Sequence, residues 1–181
     1  VIFKDDRISL SNFLFEKLNK GKAINSFSIP QFYLGGLSWD DLVFNQHLKA
    51  REATLFHPSI KYTTTQAPNA SKGKKSIFTT LADIGQLIQL EKMNIVSGRI
   101  DLTLKNNNAI QLENASMTVH TKTLFLARKA RAIEHAVEYL EFSSGTIRAG
   151  RTEINMADVI YTGNKNGSLL AKKMQVTDRD N

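Results

Sequence analysis

The side chains that could do chemistry are few and poorly spaced for it. Four histidines, His47, His57, His120 and His135, are scattered along the 181 residues. No two stand in a His-x-x-x-His spacing that would bring both imidazoles to one helix face around a metal. Ile133-Glu134-His135 sets a carboxylate beside an imidazole but lacks the second His of a zinc-protease helix. Asp5-Asp6 and Asp40-Asp41 are adjacent pairs. Neighbours in a strand point to opposite faces, so the first pair does not converge on a substrate. The second follows Ser38 and reads as charge at a helix start. A carboxylate dyad for hydrolysis would have to form across strands, and nothing singles one out. Gly73-Lys74-Lys75-Ser76 resembles the end of a phosphate-binding loop, but an extra Lys interrupts it and the upstream Gly is missing. Asn69, Asn114 and Asn166 each open an Asn-x-Ser run, which matters only in a eukaryotic secretory setting. The chain has no cysteine, so disulfides, thiolate metal sites and cysteine nucleophiles are excluded. These residues describe a non-enzymatic protein, with no cofactor or metal expected.

Charge is the next constraint. Lys and Arg total 24 against 17 Asp and Glu, a net of +7. That balance favours acidic partners. The basic residues are dispersed, however, and only Lys72-Gly73-Lys74-Lys75 is a dense run, so a solvated surface is expected and nucleic acid is not. No apolar run approaches the roughly 20 residues of a membrane span, and no signal-peptide pattern is present. Val1 opens in mid-pattern, as in an excised or processed piece of a longer protein (residues 1–181 being one segment of it), whose targeting segments would lie outside these residues. The 41% hydrophobic content suits one core or one slice of a repeating structure.

The elements that must position any site are mostly strands. A strand–break–strand unit occurs three times: Leu90 to Leu102, Val137 to Ala149 and, more loosely, Ala50 to Tyr62. The breaks are Ser97-Gly98, Ser144-Gly145 and His57-Pro58. Each reads as a hairpin turn, and Ile60, Ile100 and Ile147 recur at a repeat-like spacing of about 40 to 47 residues. Arg7 to Phe15 alternates partly, with Ile8, Leu10 and Leu14 on one side and Phe13 and Phe15 on the other. Ser26 to Leu34 contains Pro30, which demands an edge or a bulge. Ser38 to Phe44 reads as a short helix capped by Ser38 and anchored by Trp39. His47 to Phe56 and Ile60 to Thr64 pair as a hairpin. Gln66 to Lys75 is a loop. Ile77, Leu81 and Ile84 set a helical spacing over Ser76 to Leu87, and another helix is placed from about Lys122 to Ala136. In Ile110 to Val119 the apolar phase slips between Leu112 and Ala115, which predicts a bulge near Asn114. Thr152 to Thr162 and Ser168 to Thr177 close the chain. The fold class is mainly β: a curved antiparallel meander of about eleven strands with two or three short helices.

The informative residues are the apolar positions of these strands. Ile100, Leu102 and Leu104 share a side, as do Ile110 and Leu112, Ile147 and Ala149, Ile154 and Met156, and Met174 and Val176. They are expected either to close a core or to line a groove for acyl chains.

Three stretches together resemble the AsmA-like repeat proteins of bacterial envelopes, in the form found in Bacteroidetes-type bacteria. They are Ser28-Ile29-Pro30-Gln31-Phe32-Tyr33-Leu34-Gly35-Gly36-Leu37-Ser38-Trp39 with Asp41-Leu42 and Asn45-Gln46, the run from Met93 to Ile100, and Val137 to Gly145 leading to Ile154 to Tyr161. The resemblance implies a taco-shaped sheet with an apolar groove, a periplasmic location with a membrane anchor elsewhere in the protein, and a part in phospholipid transport or outer-membrane assembly. Phospholipid acyl chains and envelope proteins are then the expected partners, and the family has no catalytic residues to carry over. The alternative expectation is a scaffolding or binding module whose basic surface meets a protein partner or polyanion.

Overall fold

The computed structural model describes residues 2–4, 6–19, 22–45, 47–63, 88–104, 108–121, 123, 136–163 and 167–178. In chain order these form β1 (Ile2–Lys4), β2 (Arg7–Asn19), β3 (Lys22–Gly35), α1 (Trp39–Asn45), β4 (Leu48–Phe56), β5 (Ser59–Thr63), β6 (Ile88–Thr103), β7 (Ala109–His120), β8 (Val137–Ala149), β9 (Thr152–Thr162) and β10 (Ser168–Asp178). The protein is mainly β, as the alternation implies. All ten strands belong to one sheet, ordered β1-β2-β3-β4-β6-β7-β8-β9-β10, with β5 pairing β3 and β6. Among the described residues there are ten strands, against the expected count of about eleven, and one helix. The helices expected over Ser76–Leu87 and Lys122–Ala136, and the loop Gln66–Lys75, lie outside the described residues or almost wholly so.

Sequential neighbours are antiparallel, with one exception. β4 and β5 run parallel to β6, from Leu48 opposite Ile88 to Phe56 opposite Val96, then from Ser59 opposite Arg99 to Thr63 opposite Thr103. Two of the three similar stretches, Ala50–Tyr62 and Leu90–Leu102, therefore lie side by side in register. The sheet is mixed rather than a pure antiparallel meander. The expected hairpin between His47–Phe56 and Ile60–Thr64 is also corrected. Phe56 pairs Gln31 and Ser59 pairs Ser28 of the same strand, so β4 and β5 are one interrupted rail.

The three breaks do not reverse the chain. Ser97-Gly98 lies inside the 16-residue β6 and Ser144-Gly145 inside the 13-residue β8. The reason lies in the backbone. A type I′ hairpin needs positive φ at both central residues, whereas β6 has it at Ser97 alone (φ 51°) and the β4–β5 break at His57 alone (φ 50°). One left-handed residue inserts a bulge, which bends a strand and lets it continue.

The bulges are aligned. Asn12 in β2, His57, Ser97, Asn114 in β7 and Asp158 in β9 are the non-glycine residues with φ between 50° and 57°. The pairing brackets them together. Asn12 faces Pro30, between Ser11–Gln31 and Phe13–Ile29, and β6 and β7 shift register around Gly98–Ala115. They form a seam across the sheet at which the apolar phase changes from strand to strand. The bulge expected at Asn114 is present. Pro30, which has no N–H to donate, sits where β4 gives way to β5. At Arg7 to Phe15 the expected sides are wrong, because Asn12 flips the phase. Leu10 pairs Phe32 and Phe15 pairs Phe27, in the same apolar rows as described below, and Leu14 pairs Ser28 on the other side.

The two break glycines serve space, not φ. A Cβ on Gly145 would lie 2.5 Å from Phe142 Cε2 and 3.0 Å from Leu112 Cδ2, and one on Gly98 would lie 2.9 Å from Pro58 Cγ and 3.0 Å from Ile95 Cγ2. Residues three apart in a straight strand sit on opposite faces. Here Phe142 meets Gly145 and Ile95 meets Gly98, so the apolar face folds inward at the seam.

At one end of the sheet α1 starts as its residues dictate. The Asp41 N–H donates to Ser38 Oγ at 3.4 Å, and Leu42 N–H to Ser38 O at 3.1 Å. Trp39 packs on the cluster of Ile8, Leu34, Leu37, Ala50, Ala53 and Leu90.

Candidate functional site

Strand register turns the apolar alternation into rows. On one side of the seam runs Leu10, Phe32, Leu55, Ile95, Met117, Leu140, Tyr161 and Leu169, each paired with the next. On the other side runs Phe15, Phe27, Ile60, Ile100, Leu112, Gly145, Met156 and Met174. Beside it lie Tyr62, Leu102, Ile110, Ile147, Ile154 and Val176. At the seam Ala115, Phe142 and Val159 join Ile100 and Leu112 in one buried cluster, with Leu102, Ile110, Leu140, Met156 and Ala171 against it. Rows from both sides of the seam thus share one face.

All the groove residues expected from sequence, save one, fall in the second and third rows. Ile100 and Leu112 are buried in the central cluster; Ile147, Ile154 and Met156 are half-buried; Met174 and Val176 are exposed. Leu104 is the exception. It follows β6, and its N–H donates to Asn108 O at 2.7 Å in the connection to β7. Ala149, at the end of β8, is exposed. Sequence reasoning missed the extension of the rows into Phe27, Phe15, Leu55, Met117 and Tyr161. The signal was there in the spacing of Ile60 and Ile100, which sit opposite each other, but reading β4–β5 as a hairpin hid the continuity.

The opposite face is mostly polar, apart from Tyr33, Phe56, Val96, Ile160 and Leu170, and many of its polar groups pair with one another. Asn94 Nδ2 donates to Thr54 Oγ1 at 3.5 Å and Thr118 Oγ1 to Asn94 Oδ1 at 3.2 Å. Arg99 lies 3.0 Å from Asp101 and 3.3 Å from Glu113, and hydrogen bonding to Asp101 holds its guanidinium above the usual value. Thr146 Oγ1 donates to Asn155 Oδ1 at 2.8 Å, and Arg148 pairs Glu153 at 2.8 Å. Lys92, 2.9 Å from Glu138, donates to its carboxylate and lowers its pKa, with His120 a further contributor. Tyr139 OH donates to Glu141 at 2.5 Å, which raises the phenol's pKa.

At the seam, Ser97, Asn114, Ser116, Glu141, Ser143 and Asp158 line a shallow depression of about 360 Å³ with Phe142, Val159 and Ile160. Asn114 Nδ2 donates to Ser143 Oγ at 3.1 Å and Ser97 N–H to Ser116 Oγ at 3.2 Å, so the depression satisfies its own polar groups. None of the groove residues lines it.

The chemistry candidates are dispersed. His47 is exposed, His57 is a bulge residue, His120 Nε2 lies 3.1 Å from Glu138, and His135 lies outside the described residues. Asp41 takes hydrogen bonds from Ser38, Lys49 and Asn45, which lower its pKa to about 2. It is a helix-start carboxylate. Asp5, Asn69, Asn166 and Gly73–Ser76 lie outside the described residues. Among the described residues no three His, Asp or Glu groups converge on a metal position, and no helix is long and apolar enough to cross a membrane.

No protein-family model, no curated protein and no solved structure matches the chain.

Proposed function

We propose that the apolar face is a trough for acyl chains, in a non-enzymatic segment that serves phospholipid transport or outer-membrane assembly in a bacterial envelope. One observation carries this reading. The apolar rows span the sheet and stay on one face through the seam, while on the other, mostly polar face many of the polar groups pair with one another. The inward fold at the seam would curve that face around an elongated apolar ligand. The AsmA-like resemblance of Ser28–Trp39 and the two later stretches agrees with it and supplies the periplasmic setting. Each CH₂ moved from water into such a trough contributes about 0.8 kcal/mol, so a tail in contact over about a dozen carbons is retained without any polar contact.

The test is mass spectrometry of organic extracts from the purified protein. Phospholipid or fatty acid is expected, and Ile154→Asp, which places a charge in a half-buried row, should remove it. Gln175→Asp, on the exposed edge strand beside the row, should leave it. Extracts free of lipid, or equal lipid in Ile154→Asp with an unchanged circular dichroism spectrum, would end the proposal. Binding to heparin that collapses with salt would instead favour the scaffolding reading, which rests on the net charge of +7.

A further inference from the structure

The apolar rows reach both margins of the described sheet. At one margin, β10 has no partner on its outer side among the described residues. Leu169, Leu170, Met174 and Val176 on it are 54–69% exposed. It contains no proline and none of the left-handed residues that mark the seam in its neighbours. Its alternation changes phase around Lys172, which pairs with nothing in β9, yet its backbone stays extended on either side, and an extended apolar edge is a template for strand addition. At the other margin, β1 covers only Arg7 to Ser9 of β2. From Leu10 to Asn19 the outer side of β2 has no partner among the described residues, and Phe13, Leu14, Phe15 and Leu18 are exposed there.

These two margins match. Leu10 and Leu169 are the two ends of one row, and Phe15 and Met174 the two ends of another. Counting from strand to strand, β2 and β10 also run in the same direction, since the parallel step at β4–β6 is the one departure from alternation. Laying β10 of one molecule beside β2 of the next puts Leu169 by Leu10, Met174 by Phe15 and Asp178 by Asn19 with a single stagger. The contact begins where β1 stops and finishes where both strands end. We propose that a second copy of this chain docks here, its β2 edge pairing in parallel with β10 so that the apolar face continues from one molecule into the next.

Pairing of β10 with itself is the rival arrangement. The antiparallel register that keeps its apolar side continuous, Leu169 opposite Val176 and Ala171 opposite Met174, sets Lys172 directly opposite Lys173. Like charges directly opposite destabilise a pair. Joining β2 to β10 avoids this. Such a head-to-tail contact is not closed by a two-fold axis, so it builds rings or open arrays rather than a dimer.

The lack of native cysteine makes the test clean. Neighbouring strands are about 4.8 Å apart, within disulfide reach. Isotope-labelled Phe15→Cys protein is mixed with unlabelled Met174→Cys protein and oxidised, and the cross-linked peptides are identified by mass spectrometry. The expected product is the mixed 15–174 disulfide, at least tenfold over either homodimer, and the double variant should give a ladder of oligomers that reductant dissolves. An excess of 174–174 product would overturn the proposal in favour of β10 self-pairing. Cross-linking no better than that of Phe44→Cys, an exposed position on α1, would overturn it outright. Neither outcome depends on lipid, so the trough reading stands or falls separately.

Discussion

Leu112 and Met174 occupy the same apolar row, three strands apart, and each is a large flexible hydrophobe in a strand of similar length. Leu112 is 9% exposed and Met174 54%. The difference is entirely in what stands beside them. Leu112 has β6 and β8 on its flanks and the seam residues Ala115, Phe142 and Val159 against it; among the described residues Met174 has β9 on one flank only. One pattern thus yields a packed centre and an unfinished margin. Stability should be concentrated in β6–β8 and nearly absent from β10.

The sharpest way to break this comparison is to truncate its central member. Leu112→Ala removes buried methyl groups from a cluster that cannot collapse freely, and should cost about 2–5 kcal/mol by chemical denaturation. A loss below about 1 kcal/mol would mean that the centre is not the packed region. Gly145→Ala, in the same row, should cost about 1–3 kcal/mol through overpacking, since the new Cβ meets the Phe142 ring. Phe142→Leu should recover part of that loss, and additive costs in the double variant would contradict the contact.

The rows were legible in the sequence because a strand's side-chain period is two, so Ile100, Leu102, Ile110, Leu112, Ile147, Ile154, Met156, Met174 and Val176 fall into place once strands are assumed. The slip between Leu112 and Ala115 located the Asn114 bulge for the same reason. What failed was punctuation. Ser-Gly and His-Pro breaks signal positive φ or a missing donor, and these mark a bulge as readily as a reversal. The next hydrophobe resumes after either. The distinction rests on how many residues turn left-handed, two for a type I′ reversal but one at His57 and at Ser97 and none at Ser144-Gly145, which composition does not encode. The parallel step at β4–β6 was hidden for a related reason. Ala50–Tyr62 and Leu90–Leu102 look alike because they lie side by side, whereas likeness in sequence suggested repeated hairpins. Trp39 and Ser38, governed by capping within a few residues, were read correctly.

The seam supplies the next test. Asn tolerates a left-handed backbone and a β-branched residue does not. Asn114→Val should therefore cost about 1–2 kcal/mol, while Asn114→Gly should sit close to wild type. The same exchange at Lys172, on the line of the seam in β10 but without positive φ, should be silent. If Lys172→Val proved as costly, the cost at Asn114 would not come from its left-handed backbone, which Lys172 lacks.

Charge sharpens the contrast by a smaller amount. Glu138 titrates below its ordinary value of 4.5 because Lys92 donates to its charged form. A depressed folded pKa gives stability that is present above the unfolded value and lost as pH falls through the folded one. The melting temperature should therefore drop more steeply in wild type than in Lys92→Met between about pH 5 and pH 3. Lys172→Met at the margin removes an exposed pair, Lys172–Asp158 at 3.4 Å, and should leave the profile unchanged, as surface pairs contribute little.

Met174→Ala should have the smallest effect of all, within about 0.5 kcal/mol for the isolated chain, because half of the side chain is exposed and no strand among the described residues lies outside it. That expectation holds only for dilute protein. If β10 of one molecule accepts β2 of the next, Met174 becomes flanked on both sides as Leu112 is, and the same truncation must cost more as concentration rises. Measuring the variant's destabilisation at low and at high protein concentration therefore separates two explanations of its exposure. A small cost at every concentration means that no second copy covers β10. A cost that grows with concentration toward the Leu112 value means that the margin is an interior position awaiting its neighbour.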